Sequence, residues 1–180
     1  MRPALVAALM ALAMDGCGTG TAPRPRPSTP SKVAEAQATH EYPSAPPPQG
    51  ASGASATAVE AVAEFARAYI NWDAQSVSAD LRGLAARSVG QARSALQLAA
   101  AQTAADYELR RGGIANHGAV EAIAPLVGAR DEYVVVTREL TTATATDAYQ
   151  GLQPAWHVAL ATVVQLGRSR WVVSGWQPES

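Results

Sequence analysis

The sequence predicts an α+β domain in which N-terminal helices pack on one side of a curved, antiparallel, four-stranded sheet. Three observations point there. Between residues 57 and 113 apolar side chains recur at helical spacing; from 119 to 176 the chain turns to runs rich in Val, Thr, Tyr and Trp. Short glycine-containing turns separate these later runs, as hairpins require. Helices followed by a meander define an α+β layer arrangement.

Bulk properties narrow the function. At 180 residues there is room for one ordinary core plus extensions. A net charge of -1 supplies no electrostatic footprint for nucleic acid. The single cysteine, Cys17, excludes an internal disulfide and a cysteine-rich zinc site.

Residues 1–16 read as a leader. Arg2 precedes the uninterrupted apolar run Ala4–Met14, well short of the roughly twenty residues of a spanning helix. The stretch LAMDGCG, with Gly16 directly before Cys17 and Met14 three positions before it, resembles the lipobox of bacterial lipoprotein signal peptides. That resemblance implies that Cys17 becomes the mature N-terminus, carries a diacylglyceryl thioether and anchors the protein to the outer side of the cell membrane. Two acyl chains matter, because burial is worth about 0.8 kcal/mol per CH₂ and one chain anchors only marginally. Cleavage after Ala11-Leu12-Ala13 is a rival and would leave Cys17 a free thiol; an uncleaved short anchor is another.

Residues 17–54 read as a disordered tether. Eight of the twelve prolines fall between 18 and 54, among Ser, Thr, Gly and Ala, a composition that cannot offset its ordering entropy and that stiffens toward polyproline II. Arg24 and Arg26 in PRPRP could meet an anionic envelope polymer; a plain spacer is the simpler reading.

The domain occupies 55–180. Thr57-x-x-Glu60 is a capping box, and behind it Val59, Val62, Phe65, Ala66, Tyr69 and Ile70 form an apolar face up to Trp72, with Glu60, Glu64 and Arg67 on the wet side. A short helix follows through Leu81, Leu84 and Ala85. Ser88-x-x-Gln91 is a second capping-box pattern, opening a long helix through Leu96, Ala99, Thr103 and Tyr107. Arg110 and Arg111 suit its C-terminal end, and Gly112-Gly113 stops it. The strands are expected at 119–127, 132–142, 154–166 and 170–176. Pro125 fits only an edge strand, which suits the first of them.

This order, over about residues 55–180, resembles the cone-shaped fold of the nuclear-transport-factor-2-like (NTF2-like) superfamily. The segments FARAYINWD, LAARSVG, EYVVVTREL, WHVAL and WVVSGWQP are similar to uncharacterised actinobacterial exported proteins, some linked to conjugative elements. The resemblance implies an extracytoplasmic binding or assembly module. A fold of this kind serves enzymes, ligand carriers and assembly modules alike.

No catalytic motif occurs, and no cofactor or metal is implied. His157 shares a strand face with Ala155, Ala159, Ala161 and Val163, whose small side chains could leave a cavity. An isomerase-type mechanism would need a carboxylate base and a buried donor, for which Asp106 with Tyr107, Glu132 with Tyr133, or Tyr69 are candidates. Tyr69, Trp156, His157 and Trp171 are the residues expected around any ligand pocket. Trp156, Val158, Leu160 and Thr162 share the opposite face of the same strand, so both faces need cover. The leading expectation is a membrane-anchored, non-catalytic interaction module with a protein partner. A binder of small apolar ligands is second, and an isomerase or dehydratase near His157 third.

The leader reading is tested by the intact mass of membrane-extracted protein. It should equal the chain from Cys17 plus a diacylglyceryl group, and Cys17→Ser should abolish both processing and modification. A mass matching the unmodified chain from Met14 would replace this reading with cleavage after Ala13.

Overall fold

The computed structural model describes residues 49–179; the leader, Cys17 and the tether up to residue 48 lie outside the described residues. Helix α1 (Ala58–Ile70) opens on the expected capping box: Glu60 N–H donates to the Thr57 hydroxyl at 3.2 Å and Thr57 N–H donates to the Glu60 carboxylate at 3.1 Å. Two orphan donors are thereby satisfied reciprocally. Its buried stripe is Ala61, Val62, Phe65, Ala66 and Ile70, with Glu60, Glu64 and Arg67 exposed; Val59, expected on this face, is instead 48% exposed at the first turn, and Ala61 takes its place in the stripe. Asn71 ends α1 and clamps it to the sheet. Its amide donates to the Arg67 and Gly118 carbonyls, and its oxygen accepts from Gly118 N–H. A Cβ at Gly118 would stand 2.9 Å from the Arg138 carbonyl oxygen, so this close approach needs glycine.

Three more helices follow: α2 (Val77–Ala86), α3 (Gly90–Ala105) and α4 (Tyr107–Gly112). The capping box expected at Ser88 does not form. Ser88 is fully buried, and its hydroxyl donates back to the Leu84 carbonyl at 2.8 Å. Val89 is the N-cap instead, its N–H donating to the Val173 carbonyl of the sheet. Gly90 turns at φ +58 and donates its N–H to the Gln49 side-chain oxygen at 2.7 Å. Gln91, freed from the cap, accepts from Trp176 N–H at 3.0 Å. Long-range hydrogen bonds thus outcompete the local motif.

The long helix also breaks where a continuous one is expected. Asp106 ends α3 and caps α4, accepting from Leu109 N–H at 2.9 Å, because an aspartate side chain offers the backbone a cap in place of another helical turn. Gly113 closes α4 in the left-handed region.

The sheet has five strands in sequential antiparallel order: β1 (Trp72–Asp73), β2 (Ile114–Pro125), β3 (Glu132–Ala143), β4 (Ala155–Gln165) and β5 (Trp171–Glu179). The expected count of four misses β1, a two-residue strand too short for any periodicity, which pairs Trp72 with Asn116 and Asp73 with Ala115. β2 begins at Ile114, earlier than expected, because Ile114 to Gly118 pair with Ala143 to Glu139 of β3 and β1 adds a second partner at Ala115 and Asn116. Beyond Asn116 its outer edge is open, which accommodates Pro125. Register shifts between Val120 and Ala122 and between Thr162 and Val163 are bulges that curve the sheet.

One face of this sheet, carrying Val135, Ala159, Ala161, Val163, Val173 and Trp176, is buried under α1, α2 and α3. The alternate face, carrying Val134, Val136, Trp156, Val158 and Leu160, has no second layer among the described residues. Residues 49–55 form a strap along the domain. Besides the Gln49 contact, Gly50 accepts from Arg93, Ser52 N–H donates to the Ala86 carbonyl, and Ser55 exchanges two backbone hydrogen bonds with Trp171.

Phe65, nearly buried at the centre of the α1 stripe, sets the stability prediction. Phe65→Ala should destabilise the domain by about 3–5 kcal/mol in denaturant unfolding, whereas Val59→Ala on the exposed side of α1 should stay within about 0.5 kcal/mol.

Candidate functional site

The described residues hold three features with chemical potential. The first is a polar network inside the curve of the sheet. Asn116, buried on β2, donates to the Ile70 carbonyl at 2.7 Å and to Glu139 Oε2 at 2.8 Å, and accepts from the Thr141 hydroxyl at 3.0 Å. Glu139 Oε1 accepts from the buried Thr137 hydroxyl at 2.5 Å. Both oxygens of the carboxylate are therefore engaged, and the network fastens the end of α1 to β2 and β3. Such closure rigidifies a core.

Beside this network lies an aromatic cluster. Phe65 and Trp176 have ring centroids 5.0 Å apart, Tyr69 and Trp176 5.3 Å, and Phe65 and Tyr69 6.0 Å. Burial raises the Tyr69 phenol above its ordinary value, and the nearby Glu139 charge raises it further. Trp176 Nε1 is buried without a hydrogen-bond partner. Its proximity to the Tyr69 phenol offsets part of the rise. On β1 the exposed Asp73 is held below the usual carboxylate range by the backbone N–H groups of Gln75 and Ser76, at 2.8 and 3.0 Å from Oδ1.

The second feature is a cleft of about 290 Å³ between the strap, α1, the end of α2 and the start of β5. Its floor is apolar, from the buried Phe65, Leu84, Val172 and Val173, and its rim carries Ser55, Glu64, Arg87 and Trp171. The Ser55 hydroxyl donates to Glu64 Oε2 at 2.9 Å. The third feature is the uncovered sheet face. Trp156 is 64% exposed there and Val158 39%, with the Arg138 guanidinium 5.9 Å from the Trp156 ring centroid, within cation–π range.

The four residues expected around a pocket are not brought together. Trp171 lines the cleft, Tyr69 sits in the aromatic cluster, and Trp156 stands on the uncovered face. His157 projects from the opposite side of β4 at its exposed end, paired across to Thr137. The small side chains on its face do not leave the expected cavity. Ala159, Ala161 and Val163 are buried against the helical layer instead.

The other nominated pairs are also accounted for. Asp106 is a helix cap, Tyr107 is exposed, and Glu132 and Tyr133 are consecutive strand residues pointing to opposite faces. Among the described residues no three His, Cys, Asp or Glu side chains gather as a metal site. Sequence reasoning missed Ser55, Glu64 and Arg87. Glu64 carries the signature of a solvated helix face and Arg87 that of a helix end, and no spacing links them.

No protein-family model matches the chain, and no curated protein matches it.

The raised Tyr69 phenol has a pH consequence. A group whose folded value lies above its unfolded value of about 10 contributes stability below that pH and loses it as pH rises through the folded value. Ultraviolet titration should therefore show one tyrosine ionising later than the others, accompanied by loss of stability. Tyr69→Phe should remove that late step; an unchanged titration curve would refute the assignment.

Proposed function

We propose that the chain is a membrane-anchored, extracytoplasmic interaction module, held by a lipidated Cys17 on a proline-rich tether, whose α+β domain is an NTF2-like cone working by protein contact and not by catalysis. One observation carries this reading: the apolar face of β3 and β4 that no helix covers. Its cross-strand pairs Val134–Leu160, Val136–Val158 and Arg138–Trp156 form a continuous surface with an aromatic residue at one end. Exposed contiguous apolar surface of this kind marks interaction sites, and Trp and Arg are the residues most enriched at their energetic centres. The half-buried carboxylate of Glu139 supports the non-catalytic side of the reading, because both its oxygens are already bonded to structural partners.

The leader and tether support the location. A lipid-anchored domain on a stiff spacer of more than thirty residues searches a wide volume above the membrane while staying at high local concentration for a membrane-bound partner. The conjugation-linked sequences that the domain resembles make an envelope-spanning assembly the fitting class of partner.

The test is position-specific. A photo-crosslinking residue at Val158 should give a discrete protein adduct in intact cells, while one at Leu98, which is more exposed and lies on the helical layer, should give none. Trp156→Glu should abolish the adduct and change stability by no more than about 0.5 kcal/mol, as expected for a surface position. Equal labelling from both positions, or none from Val158, would overturn the proposal.

A further inference from the structure

The cleft under the strap is separate from the uncovered sheet face and stands on its own observations. Its floor consists of four buried apolar side chains, and its volume of about 290 Å³ lies at the low end of about 300–1,000 Å³ for small-molecule sites. That is space for a metabolite and not for a helix or a strand.

Two opposite charges stand at the rim. Glu64 comes from the wet side of α1 and Arg87 from the end of α2, and both line the cleft. They are not joined: among the described residues the only ion pair is Arg111–Glu108. Among the described residues Glu64 accepts only the Ser55 hydroxyl, on Oε2, and no hydrogen bond or ion pair engages the Arg87 guanidinium. Two unpaired opposite charges lining one apolar cleft are what select a ligand. A simple cation would use Glu64 alone, a simple anion Arg87 alone, and a neutral amphiphile neither.

We infer that this cleft binds a small zwitterion with an apolar side chain, the chemistry of a free aliphatic α-amino acid. The ammonium meets Glu64 and the carboxylate meets the guanidinium fork of Arg87, which accepts a planar carboxylate bidentately. The side chain lies on the Phe65, Val172 and Val173 floor, with Trp171 at its flank. Ser55 holds the Glu64 carboxylate in place while its backbone is tied to Trp171, so the strap is a wall of the site as well as the end of the tether.

Isothermal titration of the full chain with L-leucine tests this directly. One saturable site is expected, and glycine should bind more than tenfold more weakly because it lacks the methylenes that the floor buries. Leucinamide, without the carboxylate, and N-acetyl-L-leucine, without the ammonium, should each lose about threefold to tenfold, the range for partly shielded ion pairs. Glu64→Gln should weaken leucine but leave N-acetyl-L-leucine unchanged; Arg87→Gln should weaken leucine but leave leucinamide unchanged. Both side chains are exposed, so unfolding curves of the variants should match the parent and separate lost binding from lost structure. No saturable heat with L-leucine, or leucine binding indifferent to both substitutions, would overturn the inference. Either result leaves the reading of the uncovered sheet face untouched.

Discussion

The contact of Phe65, Tyr69 and Trp176 holds the helical layer to the last strand, and the rest of the domain is arranged around it. Phe65 is the only phenylalanine in the chain, and the surrounding core is mostly alanine, valine and leucine. Small side chains bury little area each, so the three rings supply a disproportionate share of the apolar area where α1 meets β5. Their position also fixes chemistry around them. The backbone N–H of Trp176 donates to Gln91, Tyr69 lies near enough to Glu139 for its charge to raise the phenol, and Phe65 forms part of the cleft floor. One cluster therefore sets the height of the helices above the sheet, the character of the inner polar network and the depth of the cleft.

The division of labour between the two faces of β4 follows from the same economy of volume. Alanines at 159 and 161 let the helices come close on one side. On the other side stand Trp156, Val158 and Leu160, larger residues with nothing above them among the described residues. In a strand the two faces are written in alternate residues, so a single eleven-residue segment carries both the tightest part of the core and the barest part of the surface. The helical layer is complete on its own side and has nothing left to cover the other.

Much of this was legible in the sequence, and the failures have physical causes. The capping box at Thr57, the buried stripe of α1, the hairpin order and the two-sidedness of β4 all rest on local patterns that tertiary structure left intact. The Ser88 box failed because Val89 and Gln91 had better partners in β5, more than eighty residues away. The helix break at Asp106 was hidden because a residue that favours caps is also tolerated inside helices. β1 was missed because two residues have no period. The site was the least legible part. Trp171 was singled out for being a tryptophan, but Glu64 and Arg87 look like ordinary solvated charges until the strap, α1, α2 and β5 are folded against one another.

The strap along residues 49–55 also has a mechanical meaning. Any load on the chain before Gln49 reaches α1 only through a series of attachments: Gln49 to Gly90, Gly50 to Arg93, Ser52 to Ala86, and Ser55 to Trp171. These must yield in that order, and each lies outside the aromatic cluster. The strap thus places a graded series of links between Gln49 and the core. The first links engage only the helices α2 and α3, whereas the last, at Ser55, joins β5 and walls the cleft.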